Sequence, residues 1–445
     1  MPARGWRSRP QADEPGPSIS PVSARVCAYA VLRRVFERGA YADRALHAEA
    51  RELDARDRAL AMRLAYGAVQ RTGTLDYLIG RLAERPVARL DPPIRAALRL
   101  GLYELLYLRG APDHAVVADV VELAKTSGRG GHGLVNAVLR RALREQPDTL
   151  LGALDDSTPE RAAVMHSHPE WIARLWWQEL GPVQARALMA ADNEPGEVAV
   201  RANTLVTDAV ALARELPVAT HGDPQLPEAL VLDGPFDAHA SPLWRAGAFL
   251  AQSRAAMLVA RTLDPRPDER VLDLCAAPGG KTTHLAALMQ GRGEVVAVEL
   301  KPRRAAELQQ AARRLRASNV RVELADAVLA REHEAPFDRV LVDPPCSGLG
   351  TLQARADLRW RVTPEAVNEM AEVQAAILAA GAAVVRPGGV LVYSTCTISS
   401  RENQHQIAAF LDAHPEFVLN PEEPVMTLPH RDHTAGFFIA RLYRS

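Results

Sequence analysis

The segment Arg270-Val-Leu-Asp-Leu-Cys-Ala-Ala-Pro-Gly-Gly-Lys-Thr282 decides the fold class of the C-terminal part of this chain. Its first five residues are mostly apolar and predict a buried strand. The glycines that follow mark a loop, and an apolar-periodic helix then continues to about Met289. A strand, a Gly-rich loop and a helix in this order are typical of a doubly wound sheet that binds its ligand at the carboxyl ends of the strands.

The same alternation of strand and helix continues to the end of the chain. Helices are predicted at 302–316 and 364–385, and further strands at 294–299, 320–324, 338–343 and 389–394. Regular alternation predicts a parallel sheet with helices on both faces. Residues 437–443 are predicted to form a late edge strand. We therefore expect 246–445 to be an α/β, Rossmann-like domain with a parallel-dominated sheet.

The preceding part of the chain predicts a different architecture. Residues 1–21 lack an apolar core and are expected to be a disordered tail. Apolar residues recur at helical spacing through 22–145, which predicts an all-α domain. The polar stretch 146–165 is expected to be a linker, and 166–245 a small α+β subdomain.

Composition excludes several classes of protein. The chain is 48% apolar and 24% charged, as is usual for globular proteins. An apolar run of 18 residues is missing, so we expect no membrane span and a cytoplasmic location. Four cysteines without a Cys-x-x-Cys pair indicate neither a disulfide framework nor a zinc site, and no metal is expected. A monomer is expected.

Charge is distributed unevenly along the chain. Residues 1–150 carry 24 Lys and Arg against 17 Asp and Glu, whereas the whole chain has a net charge of −1. This basic excess fits a polyanionic partner such as RNA, but it equally fits a solvated helical surface.

Two cysteines and three acidic residues follow predicted strands. Cys346 and Cys396 each lie just past a strand, so the two thiols are expected to meet over one ligand. Glu299, Asp326 and Asp343 stand at the ends of three successive strands. Such an array suits S-adenosylmethionine, with Glu299 binding the ribose hydroxyls and Asp326 the adenine amino group.

Other cofactors compete for the same loop. The Gly-Lys-Thr ending resembles a phosphate loop, but Cys275 stands where that loop needs a glycine. A Gly-x-Gly-x-x-Gly fingerprint is also missing, which disfavours NAD.

Four segments of the helical part resemble the NusB family of RNA-binding domains. These are Ala24-Arg-Val-Cys-Ala-Tyr-Ala-Val-Leu32, Tyr66-Gly-Ala-Val69, Arg99-Leu-Gly-Leu-Tyr-Glu-Leu105 and Val135-Asn-Ala-Val-Leu-Arg-Arg141. The resemblance implies that 22–145 binds RNA.

Three further segments resemble the NOL/NOP/Sun family of RNA cytosine-C5 methyltransferases. They are Leu272-Asp-Leu-Cys-Ala-Ala-Pro-Gly-Gly-Lys-Thr282, Asp343-Pro-Pro-Cys-Ser-Gly348 and Tyr393-Ser-Thr-Cys-Thr397. With a NusB-like domain in front, the chain is similar to the bacterial branch that acts on 16S rRNA. The resemblance implies S-adenosylmethionine contacts at Cys275, Ala276, Ala277, Pro278, Gly279, Gly280, Lys281, Glu299, Asp326 and Asp343. One departure is Ala435, which stands where the family usually has aspartate.

The two cysteines are explained by the chemistry of cytosine. Its C5 carbon is too weak a nucleophile to accept a methyl group until a thiolate adds to C6. Chemistry alone leaves open which cysteine attacks. The resemblance assigns attack to Cys396 and product release to Cys346. Asp343 is expected to contact N3 or the amino group of the base, and Lys281 to orient the base.

Residues around the motifs have further predicted roles. The base must be unpaired or flipped out to reach both thiols. Arg355, Arg359, Trp360 and Arg361 are candidates to hold phosphates and stack a base. We expect His284 and His405 to lie on helix surfaces.

Alternatives remain within this prediction. The motifs do not encode the target nucleotide, so tRNA is an alternative substrate to 16S rRNA; DNA is not an expected partner. A non-catalytic RNA-binding ribosome-assembly factor is a second alternative, although the retention of both thiols disfavours it. A small-molecule or protein methyltransferase would explain neither the paired cysteines nor the helical domain.

Overall fold

A computed structural model describes residues 23–108, 110–126, 128, 130–329, 336–420 and 424–445. The predicted tail, 1–21, lies outside these residues. The contacts divide the chain into two units, 1–154 and 155–445. This division falls inside the predicted linker.

The first unit is built from helices. They are α1 (Ala24–Arg38), α2 (Ala42–Glu49), α3 (Ala55–Gln70), α4 (Thr72–Ala83), α5 (Pro92–Tyr107), α6 (Asp113–Thr126), α7 (His132–Glu145) and α8 (Pro147–Gly152). Helix α1 begins where the Ser23 hydroxyl accepts a hydrogen bond from the Val26 amide, and it ends at Gly39, whose φ of 64° is left-handed. Helix α5 is apolar on nearly every side and is buried along most of its length, so the other helices pack around it.

One close contact explains a glycine inside a helix of this unit. A Cβ atom at Gly67 in α3 would lie 1.9 Å from the ring of Tyr103 in α5. Only glycine lets the two helices approach this closely.

The second unit begins with two helices and a small sheet. Its elements are α9 (Pro159–Met165), α10 (Glu170–Ala191), β1 (Ala199–Ala202), α11 (Ala209–Glu215), β2 (Thr220–Asp223), β3 (Leu226–Leu232), α12 (Pro242–Arg245) and β4 (Phe249–Ala251). Helix α10 is kinked at Gly181, which precedes Pro182. The strands pair antiparallel in the order β2-β3-β1-β4.

The main sheet follows. Its elements are α13 (Arg254–Leu263), β5 (Arg270–Leu274), α14 (Gly280–Leu288), β6 (Glu294–Glu299), α15 (Pro302–Arg314), β7 (Val320–Leu324), β8 (Phe337–Val342), α16 (Pro364–Ala383), β9 (Val385–Thr395), α17 (Gln404–Ala413), β10 (Phe417–Leu419), β11 (Val425–Thr427), α18 (Pro429–Asp432) and β12 (Phe437–Arg444). The strand order is β10-β12-β9-β8-β5-β6-β7, with β11 also paired to β12. Strands β5 to β9 are mutually parallel, and β12 runs antiparallel to β9.

Apolar side chains from both faces of this sheet form its core. One face packs against α16 and α17, and the other against α13 and α14. Both faces are covered at the centre of the sheet, which explains why β6 and the end of β8 are continuous apolar runs in the sequence, whereas β7 at the edge alternates. The predicted fold class, a helical domain followed by a Rossmann-like α/β domain, is confirmed.

Two details differ from the expectations. The stretch 146–165 contains α8 and α9, because Pro147 and Pro159 each stand in a first helical turn, where proline is favoured. Strand β12 is not at the edge of the sheet, because it pairs with β9 on one side and with β10 and β11 on the other. Among the described residues, no helix is both long and apolar enough to cross a membrane.

Candidate active site

The register of the sheet brings five strand ends to one edge. Leu274 of β5 pairs with Val298 of β6 and with Val342 of β8, and Val342 pairs with Tyr393 of β9. Glu299 of β6 pairs with Leu324 of β7. The loops that follow these strands carry the residues predicted from the sequence. They therefore lie side by side at the carboxyl edge, where ligands bind in such sheets.

The two cysteines meet at this edge as predicted. Cys346 Sγ lies 3.2 Å from Cys396 Sγ, and both side chains are partly exposed. The backbone amide of Gly350 donates to the carbonyl of Cys396 at 3.0 Å, so the two loops are also joined through the main chain. A single small ligand placed over this edge would contact both thiols.

The surroundings of the two thiols favour different protonation states. The hydrogen bond from Cys346 lowers the pKa of Cys396 against the effect of burial, with help from the positive charges of Lys281 and Arg355. The same hydrogen bond, together with burial and the carboxylate of Glu402, raises the pKa of Cys346 well above its ordinary value. Cys396 is therefore the thiol that ionises more readily, and Cys346 is the thiol that stays protonated.

An ion pair lies beside the thiols. Lys281 Nζ donates to Asp343 Oδ2 at 2.6 Å, and the hydroxyl of Ser394 donates to Asp343 Oδ1 at 2.8 Å. Burial opposes the charge of Lys281, but Asp343 outweighs it and raises the pKa of the ammonium group. Asp343 thus has both oxygens oriented, and Lys281 keeps its positive charge next to Cys396.

The loop after β5 follows the shape predicted for a cofactor loop. Gly279 has φ 103°, and a Cβ there would meet Leu308 Cδ1 at 2.6 Å. Helix α14 begins immediately afterwards at Gly280, so the amides of its first turn lie at the strand ends. Burial raises the pKa of Cys275 in this loop to about 12, so that thiol is not reactive.

Asp273 lies beneath this loop. Its Oδ2 accepts from the hydroxyl of Thr282 at 2.6 Å, and the side chain is almost fully buried. Burial raises the pKa of Asp273 to about 7. The sequence did not single out this residue, because an aspartate inside an apolar strand gives no sign of how deeply it is buried.

Glu299 and Asp326 end the next two strands. Glu299 is buried, its Oε1 accepts from the Lys301 amide at 2.8 Å, and its Oε2 lies 3.6 Å from Arg304. Asp326 is half-buried and accepts from the Val328 amide at 3.0 Å. Both carboxylates stay at the edge that carries the loop of α14.

The expectation for His284 is wrong. This residue of α14 is buried, and its Nε2 lies 2.7 Å from Glu228 of β3. Burial and the charge of Arg201 lower the pKa of His284 to about 4, so the imidazole is neutral. Arg201 also donates to the carbonyl of Gly280 at 2.6 Å. The small sheet therefore supports the first turn of α14 from behind.

The expectation that Arg359 contacts RNA is also wrong. Arg359 is completely buried, and its guanidinium donates to the carbonyls of Ser167 and Asp192 and to the side chain of Asn193, each at 3.0 Å. It joins the loop after Cys346 to the segments around α10. The guanidinium is therefore structural. Arg355, by contrast, is exposed.

Known proteins resemble this chain over nearly its whole length. The family model described as 16S rRNA methyltransferase RsmB/F matches residues 260–443, that of the NusB family 22–144, and that of the RsmF/B-like ferredoxin-like domain 168–239. A probable ribosomal RNA small subunit methyltransferase B from Synechocystis is 37% identical, over 95% of this chain and all of that protein.

Two further relatives agree with this. The protein of the same description from Bacillus subtilis is 34% identical, over 94% of this chain and 98% of its own length. The solved structure of a methyltransferase homologue from Pyrococcus horikoshii is 27% identical, covers 65% of this chain and 99% of its own, and has a TM-score of 0.59.

Proposed function

Because the chain belongs to the family of 16S rRNA methyltransferases RsmB/F, we propose that it methylates C5 of a cytosine in 16S rRNA, with S-adenosylmethionine as methyl donor. One observation carries the proposal. Two thiols of opposite protonation preference lie 3.2 Å apart at the ends of β8 and β9. Methyl transfer to an oxygen or nitrogen atom would need no such pair.

Cys396 performs the attack in this proposal. Its thiolate adds to C6 of the cytosine, and the electron pair of the C5–C6 double bond moves onto C5. Lys281 and Arg355 provide the positive charges that favour the thiolate. The electrostatics therefore support the same assignment as the family resemblance, although the chemistry of the base alone leaves the order open.

Cys346 acts at the end of the reaction. After C5 has been methylated, solvent water takes the C5 proton, the C5–C6 double bond forms again, and the Cys396–C6 bond breaks with its electron pair on sulfur. The Cys346 thiol is held protonated 3.2 Å from the departing sulfur, so it can donate a hydrogen bond that stabilises the Cys396 thiolate as that bond breaks.

Asp343 and Lys281 orient the base. The carboxylate of Asp343 is fixed by Lys281 and Ser394, and it can accept a hydrogen bond from the amino group of cytosine or from a protonated N3. A charge-assisted contact to N3 would withdraw electrons from the ring and make C6 more susceptible to attack.

The strand edge fits S-adenosylmethionine, which when bound supplies an electrophilic methyl group on a sulfonium cation. Glu299, Asp343 and Asp273 place carboxyl groups around a site for a cationic ligand. Leu300, which follows Glu299 directly, is 59% exposed, and an apolar surface beside a carboxylate suits an adenosine. We assign the cofactor contacts to Cys275–Lys281, Glu299, Asp326 and Asp343.

The RNA substrate is the second part of the proposal. Exposed Arg355 lies close enough to the thiols to affect Cys396 electrostatically, and it is the candidate for a phosphate next to the target base. The helices within 22–145 belong to the NusB family, and their arginine excess supports a role in holding RNA.

The test is to map 5-methylcytosine. Purified protein and S-adenosylmethionine are incubated in separate reactions with 16S rRNA, with small ribosomal subunits and with tRNA. Each RNA is then sequenced after bisulfite treatment. We expect one cytosine in 16S rRNA to resist bisulfite conversion after incubation with the wild type. The same cytosine should be converted after incubation with the Cys396→Ala variant. A methyl group at another atom would overturn the C5 assignment, and methylation of tRNA alone would overturn the substrate assignment.

A further inference from the structure

A buried carboxylate, Glu402, lies behind the two thiols. It is 0% exposed and stands between β9 and α17. Its Oε1 accepts from the amide of Ser347 at 2.8 Å and from Gln374 Nε2 at 3.0 Å. Its Oε2 accepts from the hydroxyls of Ser347 at 2.5 Å and Thr397 at 3.3 Å. All four donors are neutral groups.

The partners of Glu402 have a specific relation to the cysteines. Ser347 directly follows Cys346, and Thr397 directly follows Cys396. The two hydroxyl oxygens also lie 2.6 Å from each other. One carboxylate therefore binds the next residue after each thiol, and the three side chains close a ring across the gap between the two loops.

Glu402 is itself held rigidly. Its backbone carbonyl accepts from the hydroxyl of Tyr393 at 2.7 Å. The neighbouring Asn403 accepts from the hydroxyl of Thr395 at 2.6 Å and donates to the carbonyl of Thr397 at 3.0 Å. Because these bonds anchor the carboxylate to the end of β9, movement of the Cys346 loop would break bonds to a fixed point.

We propose that Glu402 is a positioning residue that holds the Cys346 and Cys396 loops together and keeps their thiols in contact. The importance of this role for catalysis rests on the proposed function, which needs both thiols at one cytosine. Loss of even one of these buried hydrogen bonds would leave a buried polar group without its partner, which destabilises the arrangement of the two loops.

The charge of Glu402 contributes as well as its geometry. The hydrogen bond to Cys396 is the main reason why Cys346 stays protonated, and the negative charge of Glu402 acts in the same direction. Lys281 and Arg355 act on Cys396 in the opposite direction. A negative charge on one side and positive charges on the other thus separate the two thiols electrostatically.

The test uses thiol chemistry without RNA. The variant is Glu402→Gln in the full chain, which keeps the size of the side chain but removes its charge and one acceptor. The matched control is Glu179→Gln. Glu179 accepts from the amide and hydroxyl of Ser400 in the same loop, but neither contact involves a residue adjacent to a cysteine.

Two readouts follow. The first is the rate at which oxidised glutathione converts Cys346 and Cys396 to a disulfide, with release of two glutathione thiols. We expect Glu402→Gln to slow the intramolecular step by roughly ten- to a hundredfold, because the thiols lose their alignment. The second is the pH profile of Cys346 alkylation by iodoacetamide, measured in a Cys396→Ser background. Adding Glu402→Gln to this background should increase the rate of Cys346 alkylation severalfold at pH 8.

Equal rates and equal pH profiles in Glu402→Gln and wild type would overturn the proposal. If Glu402→Gln does not fold, Ser347→Ala removes one link of the ring and must slow disulfide formation in the same direction for the proposal to stand. Neither readout uses cytosine or a methyl donor. The proposed role of Glu402 can therefore be refuted even if C5 methylation is confirmed. It can also be confirmed even if the methylated atom is not C5.

Discussion

The substitution Cys346→Ala separates the two steps that we assign to the thiols. It removes the hydrogen bond between Cys346 Sγ and Cys396 Sγ, which lie 3.2 Å apart and of which Cys346 is the thiol that stays protonated. A hydrogen bond to a charged group contributes about 1.5–3 kcal/mol, and a thiol is a weak donor, so we take about 1.5 kcal/mol. This raises the pKa of Cys396 and lowers its ratio of thiolate to thiol roughly tenfold at a given pH.

In the Cys346→Ala variant, Cys396 should therefore attack C6 of the cytosine slowly, and the methylated RNA should be released even more slowly. Alkylation of Cys396 by iodoacetamide, followed by mass spectrometry of its peptide, should be roughly tenfold slower at pH 7 and should recover as the pH rises. With RNA and S-adenosylmethionine, a protein–RNA band should nevertheless accumulate on a denaturing gel, because the hydrogen bond that stabilises the departing Cys396 thiolate is missing.

The control for this variant is Cys27→Ala. Cys27 is buried in α1 of the first unit. The Cys27→Ala variant should leave the alkylation rate of Cys396 and the amount of the protein–RNA band unchanged. The reasoning fails if Cys346→Ala leaves the alkylation rate of Cys396 at the wild-type value, or if wild type and variant show the same RNA-linked band.

Three further predictions concern other residues. Cys396→Ala should abolish methyl transfer to RNA while binding S-adenosylmethionine in calorimetry; residual turnover above one per cent or so of wild type contradicts its role as nucleophile. Arg359→Ala should lower the free energy of unfolding, measured in urea, by about 3–5 kcal/mol, because it leaves buried carbonyls without a donor. A loss below about 1 kcal/mol would contradict the structural role of Arg359. Asp273 has a pKa of about 7 against an ordinary 3.8, so its raised pKa favours folding at low pH and the advantage is lost as the pH rises toward 7. Asp273→Asn should therefore gain stability relative to wild type as the pH rises from 4 to 8, and a constant difference in melting temperature would contradict this.

The main sheet could be predicted from the sequence because its strands are buried on both faces. Runs such as Glu294–Glu299 are apolar without alternation, and a residue that we predict to bind ligand or to react stands at or just past the end of each. Since parallel strands end at one edge, Cys346 and Cys396 could be placed together although 50 residues separate them.

Other parts of the site could not be predicted, because they depend on contacts between distant segments. Arg359 binds the carbonyl of Ser167, 192 residues away, and His284 binds Glu228, 56 residues away. An arginine near a motif gives no local sign that it will be buried. Glu402 likewise follows the Thr-Cys motif without any pattern that identifies it as the partner of Ser347.

The nucleophile can be identified most directly with an RNA that contains 5-fluorocytidine at the methylated position. Fluorine at C5 cannot leave as a proton does, so the covalent adduct persists and its peptide can be sequenced by mass spectrometry. We expect the nucleotide to be attached to Cys396. Attachment to Cys346, or methylation of the natural RNA without any trapped adduct, would contradict it.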